Sequence, residues 1–286
     1  MKWKGSAALA ARFARWVLGT GLAAAGCTNP WRHADPQRVA LELAIKTISK
    51  TLAADEVGTH LPYRIYVPPS YRKERQYPLI LYLHPGGLNG SDNLRQLTED
   101  VQILISQDVQ GIEPTFVLVP QCPEGDQWAN GAMGNPPFHN YDHNAVPESA
   151  SSKLTFRVLD EVLHDFRIDR SRLYVTGPSM GGSGTWDFLS RHPGVFAAGI
   201  PINGINDPSV ASAYRDTPLW AFHGDVDTIS PVSNTRSMIA AIQKVGGSPR
   251  YTEFAGVGHG CSALVYRNRE MMRWLLSNRL AAGGDR

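Results

Sequence analysis

The sequence predicts an α/β fold: a doubly wound, mostly parallel sheet with helices on both faces. Two observations lead to this prediction. Short apolar runs of strand length alternate along the chain with segments of helical period, which is the order of a βαβ protein. Two of the runs, Pro78–Leu83 and Thr115–Pro120, are apolar at nearly every position, as strands covered on both faces should be. In such a sheet the functional loops follow the carboxyl ends of the strands.

Each element is predicted from its period and composition. Leu61–Val67 alternates in the way that is typical of a strand near the edge of a sheet. Leu154–Phe166 carries apolar side chains at every fourth position, which predicts an amphipathic helix. The remaining predicted strands are 172–176, 195–202, 218–222 and 250–254, and the remaining helices begin at Gly182 and cover 233–245 and 263–276.

The composition is that of a globular chain with a sizeable core. The chain has 286 residues, of which 42% are hydrophobic, and a formal net charge of +2. It has no basic stripe and no long acidic run, so we expect neither a nucleic-acid partner nor a charged disordered region. We assign the folded domain to residues 57–280 and a disordered tail to 281–286, and the sequence leaves the oligomeric state open.

The first 27 residues are predicted to be a signal peptide. Basic residues up to Arg15 precede an apolar stretch, Trp16–Ala25, which is too short to span a bilayer. Small residues then precede Cys27, as in a bacterial lipobox, although leucine is commoner than alanine at position 24. We therefore expect a lipidated Cys27 that tethers an exported protein to a membrane, in the periplasm or at the cell surface. An ordinary secretory peptide and an uncleaved anchor are the alternatives, and residues 28–56 are interpreted as a linker with an N-terminal helix.

A Gly-x-Ser-x-Gly pentapeptide, Gly177–Gly181, lies between a predicted strand and a predicted helix. In that position it is typical of the nucleophile elbow of an α/β-hydrolase, which holds the serine hydroxyl above the sheet. We attribute the glycines to a turn too tight for a β-carbon on either side of Ser179. For the pentapeptide alone, a glycine- and serine-rich turn without chemistry is the alternative.

An acid and a histidine follow Ser179 in the order that an α/β-hydrolase requires. Asp227 and His259 each come shortly after a predicted strand. A serine hydroxyl is a weak nucleophile, so His259 is predicted to be its general base. Asp227 is predicted to hold the other ring nitrogen of that histidine. Asp225 competes for this role and is expected instead to shape the loop.

Two backbone N–H groups are predicted to form the oxyanion hole. One belongs to Met180, the residue after the nucleophile, and the other to the loop after the strand that ends at residue 83. Pro85 in that loop has no N–H, so Gly86 is the first available donor. Trp128 and Gly87 are the predicted substrate contacts, with a core aromatic and an inert loop as the alternative.

One long segment, residues 127–152, interrupts the alternation of strands and helices. A loop of this length within a domain is usually functional, for example as a lid or a substrate wall, and a surface excursion without consequence is the alternative. His139, Asp142 and His143 within it match no strong metal-binding motif. We therefore expect no metal, and the predicted chemistry requires no organic cofactor.

Six further motifs carry a family resemblance. They are 81–93, 119–123 with Trp128, 169–177, 179–186, 222–227 and 251–259. Together they resemble exported bacterial esterases of the "predicted peptidase" group, which are related to feruloyl esterases, polyhydroxybutyrate depolymerases and dienelactone hydrolases. The resemblance covers Leu61 to Leu276 and implies an α/β-hydrolase with its nucleophile, acid and base at Ser179, Asp227 and His259.

Two residues depart from the pattern of that family. Pro85 stands where the family usually has glycine, which is expected to stiffen the oxyanion loop. Cys261 stands where it often has tryptophan, which alters the leaving-group side of the pocket. Cys122 and Cys261 both fall near the expected rim of the site, where export would allow a disulfide. Two free buried thiols are the alternative.

The residues and the resemblance together predict a secreted serine hydrolase that cleaves carboxylic esters through an acyl-enzyme on Ser179. The expected substrates are small-molecule or polysaccharide-linked esters with short-chain, aryl, feruloyl or acetyl-sugar groups. Three alternatives remain: a serine peptidase of the prolyl-oligopeptidase type, an acyltransferase with the same acyl-enzyme, and a non-catalytic binding module, since a fold alone does not imply an activity.

Overall fold

The computed structural model describes residues 35–52, 60–131, 136–139 and 141–281. The predicted signal peptide with Cys27, residues 28–34 and 53–56 of the predicted linker, and all but the first residue of the predicted tail lie outside the described residues. Within the described ranges, no helix combines the length and the apolar character needed to cross a membrane.

An eight-stranded sheet forms the centre of the fold. Its strands in chain order are β1 (Ile48–Leu52), β2 (Leu61–Tyr66), β3 (Tyr77–Tyr82), β4 (Phe116–Pro120), β5 (Ile168–Pro178), β6 (Ala198–Ile202), β7 (Trp220–Gly224) and β8 (Arg250–Phe254). Their spatial order is β1-β2-β4-β3-β5-β6-β7-β8. β2 runs antiparallel to β1 and β4, and the other pairs are parallel. The predicted α/β class with a mostly parallel sheet is confirmed.

The described helices connect these strands and begin at recognisable caps. Asp35 accepts the N–H of Gln37 ahead of the first helix, and Ser149 and Asn268 cap two others in the same manner. The helices are α1 (Pro36–Lys46), α2 (Glu99–Leu104), α3 (Gln107–Gln110), α4 (Ala150–Asp165), α5 (Met180–Arg191), α6 (Ser233–Lys244), α7 (Ser262–Tyr266) and α8 (Arg269–Ser277), with 3₁₀ turns at His143–Ala145 and Pro208–Tyr214.

The structure differs from the prediction at three places. β1 lies within the predicted linker; its Ile48 and Lys50 are not buried, so no apolar run marks this edge strand. The short helices α2 and α3 were missed because six and four residues are too few to show a helical period. The last predicted helix is divided in two, because Asn268 accepts the N–H of Met271 and starts α8 afresh.

The core lies on both faces of the sheet, and the candidate site lies at one edge. Every residue of β3 and β4 is buried, which agrees with their continuous apolar runs. Ser179 directly follows β5, Asp227 follows β7 and His259 follows β8. Because these three strands are parallel, their carboxyl ends bring the three side chains to the same edge.

Candidate active site

Ser179 occupies the sharp turn between β5 and α5 with φ 56° and ψ −118°, a conformation that residues other than glycine rarely adopt. Its N–H donates to the carbonyl of Ile202 in β6 at 2.8 Å. The two elbow glycines are required for a steric reason that the sequence alone did not show. A β-carbon at Gly177 or at Gly181 would overlap one and the same atom, the carbonyl oxygen of Leu83 just after β3. The elbow is therefore shaped by the neighbouring strand as well as by its own turn.

The three residues predicted as nucleophile, base and acid lie in one hydrogen-bonded line. Nε2 of His259 lies 2.8 Å from Oγ of Ser179, and Nδ1 of the same ring lies 2.7 Å from Oδ2 of Asp227. The second oxygen of Asp227 accepts the N–H groups of Ile229 and Ser230, both at 2.9 Å. Asp227 is buried, whereas Ser179 and His259 are half-buried. A histidine so placed can remove the serine proton while the carboxylate fixes its tautomer.

A second histidine, His223 in β7, contacts the same carboxylate. Its Nε2 lies 3.2 Å from Oδ2 of Asp227 and 2.7 Å from the carbonyl oxygen of Ser230. Because a carbonyl can only accept, Nε2 must carry a proton. Burial alone would raise the pKa of Asp227, but hydrogen bonds from His223, His259 and the Ser230 N–H outweigh it and hold that pKa well below its usual range. The carboxylate therefore stays ionised at neutral pH.

Asp227→Asn is expected to lower kcat by about 10⁴-fold while the fold is kept. The amide nitrogen would donate to Nδ1 of His259, which leaves Nε2 protonated and unable to accept the Ser179 proton. Asp225→Asn is the matched control, because the Asp225 carboxylate instead accepts the N–H of Gly256 at 2.7 Å. Steady-state hydrolysis of p-nitrophenyl acetate measures both variants, and equal losses in the two would show that the acid has been assigned wrongly.

His84, at the start of the predicted oxyanion loop, is fully buried and neutral. Burial lowers its pKa to about 4, although the hydrogen bond with the carbonyl of Pro85 opposes this shift. Nδ1 donates to that carbonyl at 2.8 Å, and Nε2 accepts the N–H of Cys122 at 3.0 Å. His84 therefore joins the loop after β3 to the end of β4.

The predicted oxyanion donors are the N–H groups of Gly86 and Met180. Their two segments meet where the elbow glycines pack against the carbonyl oxygen of Leu83. Met180 is the first residue of α5, where N–H groups have no partner within the helix. Gln121, directly after β4, holds the loop that contains Gly86. Its side chain donates to the carbonyl of Leu88 at 3.2 Å and accepts the N–H of Asn93 at 2.6 Å. Gln121 lies in the motif 119–123 that carries the family resemblance, but the sequence analysis gave it no role. The roles of the two donors stay predictions.

Trp128, predicted to contact substrate, is a core residue. Its side chain is fully buried, and its Nε1 donates to the carbonyl of His84 at 2.9 Å. A β-carbon at Gly184 of α5 would overlap the Trp128 side chain, so the tryptophan packs on the helix that follows the elbow. The predicted substrate contact is therefore wrong and the alternative of a core aromatic holds, since the ring supports the loop after β3 from within. Gly87, in contrast, is exposed with open space beside it, and its contact with substrate stays a prediction.

The described part of the insertion, residues 127–152, is fastened at its ends and near its middle. The hydroxyl of Ser149 donates to the carbonyl of Trp128 at 2.9 Å, which joins the two ends. Between them, the N–H of Phe138 donates to the carbonyl of Ile229 at 2.8 Å. Ile229 belongs to the loop that carries the acid, so the insertion contacts the candidate site through that loop. Its role as a lid or substrate wall stays a prediction.

Two of the three residues considered as metal ligands have other contacts. Asp142 accepts the N–H groups of Asn144 and Ala145, and Nδ1 of His143 lies 3.2 Å from Oδ1 of Asp187 in α5. Among the residues with described placement, no group of three His, Cys, Asp or Glu side chains is arranged to hold a metal ion.

Cys122 and Cys261 are free, buried thiols, so the hypothesis of a disulfide between them is wrong. Sγ of Cys122 lies 3.1 Å from the hydroxyl of Ser151, and Sγ of Cys261 donates to Oδ1 of Asn203 at 3.3 Å. Burial raises the pKa of each thiol to about 12. Both therefore remain protonated at neutral pH and do not compete with Ser179 as nucleophiles.

Asp100 of α2 is expected to make the folding stability depend on pH. Its carboxyl accepts the hydroxyls of Tyr82 at 3.0 Å and of Ser262, in α7 beyond His259, at 2.9 Å. Burial raises its pKa to about 6, and these hydrogen bonds only partly oppose that shift. Since the folded state keeps a proton that the unfolded chain loses near pH 4, stability declines as the pH rises from about 4 to about 6.

Asp100→Asn is expected to remove that decline, because the amide does not ionise. Above about pH 7 the free energy of unfolding of the variant should exceed that of the parent by on the order of 2 kcal/mol. Urea unfolding of both proteins between about pH 4 and pH 8 measures the difference. Two curves that run parallel over this range would contradict a role for Asp100.

The sheet with its helices, and the serine, histidine and aspartate in line at the strand ends, define the α/β-hydrolase class. The chain belongs to the Esterase family, whose family model, described as "Putative esterase", matches residues 54–253. The predicted resemblance to esterases of the α/β-hydrolase group is confirmed.

Individual relatives agree with this assignment. The bifunctional acetylxylan esterase/xylanase XynS20E of Neocallimastix patriciarum is 32% identical over 174 residues, which are 61% of this chain and 22% of that protein. The crystal structure of a thermostable esterase has a TM-score of 0.74 and 32% identity over 82% of this chain and 64% of its own. The feruloyl esterase module from Clostridium thermocellum has a TM-score of 0.60 at 16% identity, over 81% and 88% of the two chains, and shows the shared fold. The chain thus spans less than two thirds of the first two.

Proposed function

We propose that this chain is a carboxylesterase and that it acts through an acyl-enzyme on Ser179, with His259 as general base and Asp227 as the residue that orients it. The hydrogen-bonded line from Oγ of Ser179 through the imidazole to the buried carboxylate, with contacts of 2.8 and 2.7 Å, carries the proposal. The strained backbone of Ser179 supports it, because strain of this kind persists where function requires it.

The reaction proceeds in two halves. Oγ of Ser179 attacks the ester carbonyl carbon while Nε2 of His259 takes the hydroxyl proton, and a tetrahedral oxyanion forms. The N–H groups of Gly86 and Met180 stabilise that oxyanion, and the loss of one such donor typically costs about 3 kcal/mol. The imidazolium returns its proton to the departing alkoxide, which leaves as the alcohol. Water, deprotonated by His259, then attacks the acyl-enzyme. The imidazolium returns that proton to Oγ of Ser179 as the acyl–oxygen bond breaks, which releases the acid and restores the free serine.

The proposed substrates are carboxylic esters with short-chain, aryl, feruloyl or acetyl-sugar groups, as small molecules or attached to a polysaccharide. The relative named as an acetylxylan esterase supports the acetyl-sugar class, because its sequence similarity covers 61% of this chain. The half-buried position of Ser179 and His259 leaves the nucleophile accessible from solvent.

A substrate panel tests the activity. We expect p-nitrophenyl acetate, methyl ferulate and acetylated xylan to be hydrolysed, with free carboxylic acid as the product. A proline-containing peptide anilide serves as the peptidase control and should be inert. A higher kcat/KM for the anilide than for every ester would instead support the peptidase, and transfer of the acyl group to an added alcohol in preference to water would support the acyltransferase.

Covalent labelling tests the nucleophile. A fluorophosphonate should add once to the native protein, and peptide mass analysis should place the adduct on Ser179. Prior incubation with p-nitrophenyl acetate should slow the labelling, because both reagents require the same hydroxyl. An adduct on any other residue would refute the acyl-enzyme assignment.

We also propose that the protein is exported and tethered through a lipidated Cys27. The basic start, the apolar stretch and the small residues before Cys27 support this proposal. When the full chain is produced in a bacterial host fed an alkyne fatty acid, it should carry the label, and Cys27→Ala should not. Equal labelling of the two proteins, or none in either, would count against the tether.

A further inference from the structure

Asn203 lies where the strands that lead to the three candidate catalytic residues meet. It directly follows β6 and is 1% exposed. Its φ of 50° is a backbone conformation that residues other than glycine, asparagine and aspartate seldom adopt. Its N–H donates to the carbonyl of Phe222 in β7 at 3.0 Å. The carbonyl just before it, that of Ile202, accepts the N–H of Ser179 at 2.8 Å. The backbone at this point is therefore bonded both to the elbow and to β7, the strand that precedes the acid.

The side chain of Asn203 reaches the third catalytic segment. Its Nδ2 donates to the backbone carbonyl of His259 at 2.5 Å. Its Oδ1 accepts the N–H of Gly224, at the end of β7, and the thiol of Cys261, each at 3.3 Å. One buried amide thus bonds to the loop that carries His259 (residues 255–261, the base loop) at His259 itself and at Cys261, and to the end of the strand before the acid.

The base loop has little stiffness of its own. Glycines occupy positions 256, 258 and 260 around the histidine, and glycine is the residue with the greatest backbone freedom. A β-carbon at Gly256 or Gly260 would meet no atom within 4 Å, so close packing does not explain these glycines. The His259 side chain is 21% exposed. Its position therefore depends strongly on the hydrogen bonds that hold its ring and its backbone.

We propose that Asn203 is a positioning residue that sets the distance between the imidazole of His259 and the hydroxyl of Ser179 by holding the base loop. The proposal rests on the proposed function of those two residues. Asparagine is suited to the position because it tolerates a positive φ and supplies a donor and an acceptor from one short side chain. Glycine would tolerate the positive φ but supply neither hydrogen-bonding group. Aspartate would keep the acceptor but lose the donor to the carbonyl of His259.

Asn206 provides a matched control for a merely structural role. It lies three residues further along the same segment and is also fully buried. Its Nδ2 donates to the hydroxyl of Tyr214, and its Oδ1 accepts the N–H of Asp207, so these bonds do not reach the candidate triad. Asn206→Gly should lower stability by loss of a buried amide while kcat and its pH profile remain those of the parent.

The experiment compares Asn203→Gly, Asn203→Asp, Asn206→Gly and Ser179→Ala in the full chain. For the variants that keep Ser179, rates on p-nitrophenyl acetate are divided by the concentration of active sites, titrated with a fluorophosphonate, so that a small folded fraction is sufficient. The rate of Ser179→Ala is divided by its concentration of folded protein. Asn203→Gly should lower kcat by 10- to 100-fold with KM within about two-fold of the parent. Asn203→Asp should lower kcat to a similar extent and move the acid limb of the kcat/KM profile to higher pH, because a carboxylate near the base loop raises the pKa of an imidazolium.

The outcomes distinguish a role of Asn203 in positioning His259 from a role in folding alone. If both Asn203 variants keep the kcat and the pH profile of the parent while Ser179→Ala is inactive, the proposal fails and the proposed function stands. Equal kcat losses in Asn203→Gly and Asn206→Gly would also overturn it, as would two Asn203 variants that yield no folded protein, since the residue would then serve folding. If Ser179→Ala keeps its activity, the proposed function itself fails.

Discussion

Ser179→Ala is expected to lower kcat by roughly a million-fold, the largest loss that one substitution in this chain should cause. The three residues of such a triad act as a unit, so removal of the nucleophile leaves only the contribution of substrate binding and oxyanion stabilisation. The fold should be preserved, because the N–H of residue 179 still donates to the carbonyl of Ile202. Hydrolysis of p-nitrophenyl acetate and the unfolding temperature measure the two effects.

Ser183→Ala is the matched control for that variant. Ser183 lies one turn further along α5, is buried, and its hydroxyl donates to the carbonyl of Ser179 at 3.3 Å and accepts the N–H of Ile205 at 3.0 Å. Its loss should cost about 1–3 kcal/mol of stability and less than ten-fold in kcat. A Ser179→Ala protein with more than about one per cent of the parent rate would rule out an acyl-enzyme at this residue.

Gly181→Ala is expected to lower the free energy of unfolding by more than about 3 kcal/mol, because large losses follow when backbone atoms must move to admit a side chain. The new β-carbon would overlap the carbonyl oxygen of Leu83 and approach that of His84. Neither is the end of a flexible side chain, so β3 and α5 must separate. Activity should fall as well, because the displaced segment leads directly to the predicted oxyanion donor Gly86.

Gly260→Ala is the control for the loss of a glycine as such. A β-carbon there would meet no atom within 4 Å, and no positive φ is found at that position. The free energy of unfolding should change by less than about 1 kcal/mol. Urea unfolding of both variants and the parent gives the comparison. If Gly181→Ala and Gly260→Ala were equally stable, the contact with Leu83 would not explain the elbow glycine.

The strands and the candidate triad could be predicted because their signals are local. A buried parallel strand is a short apolar run, and the residues just after such runs must lie at one edge of the sheet. Ser179, Asp227 and His259 satisfy that rule one at a time, so their meeting followed from the fold class. β1 escaped prediction because an edge strand with polar residues has no such run.

The partners of the supporting residues could not be predicted, because each depends on a contact between distant parts of the chain. The indole of Trp128 bonds to a carbonyl 44 residues earlier, and the amide of Asn203 bonds to one 56 residues later. The same holds for His223, which stands four residues before Asp227 but could have faced either side of its strand. Side-chain type showed that these residues were polar or aromatic, and only packing showed which partner each has.

The hydrogen bond between Ser149 and Trp128 closes the insertion at its base, with consequences for how specificity can diverge. Once the ends are held, the entropy of closing a loop grows only slowly with its length. Descendants of this chain can therefore lengthen, shorten or rewrite the insertion at small cost to folding where its residues make no contact with the rest of the domain. The bond from Phe138 to Ile229 sets a limit on that freedom, because changes near it are transmitted to the acid loop. If the insertion is the predicted substrate wall, new substrate preferences should accumulate on either side of Phe138, while Phe138 and the two anchors change little.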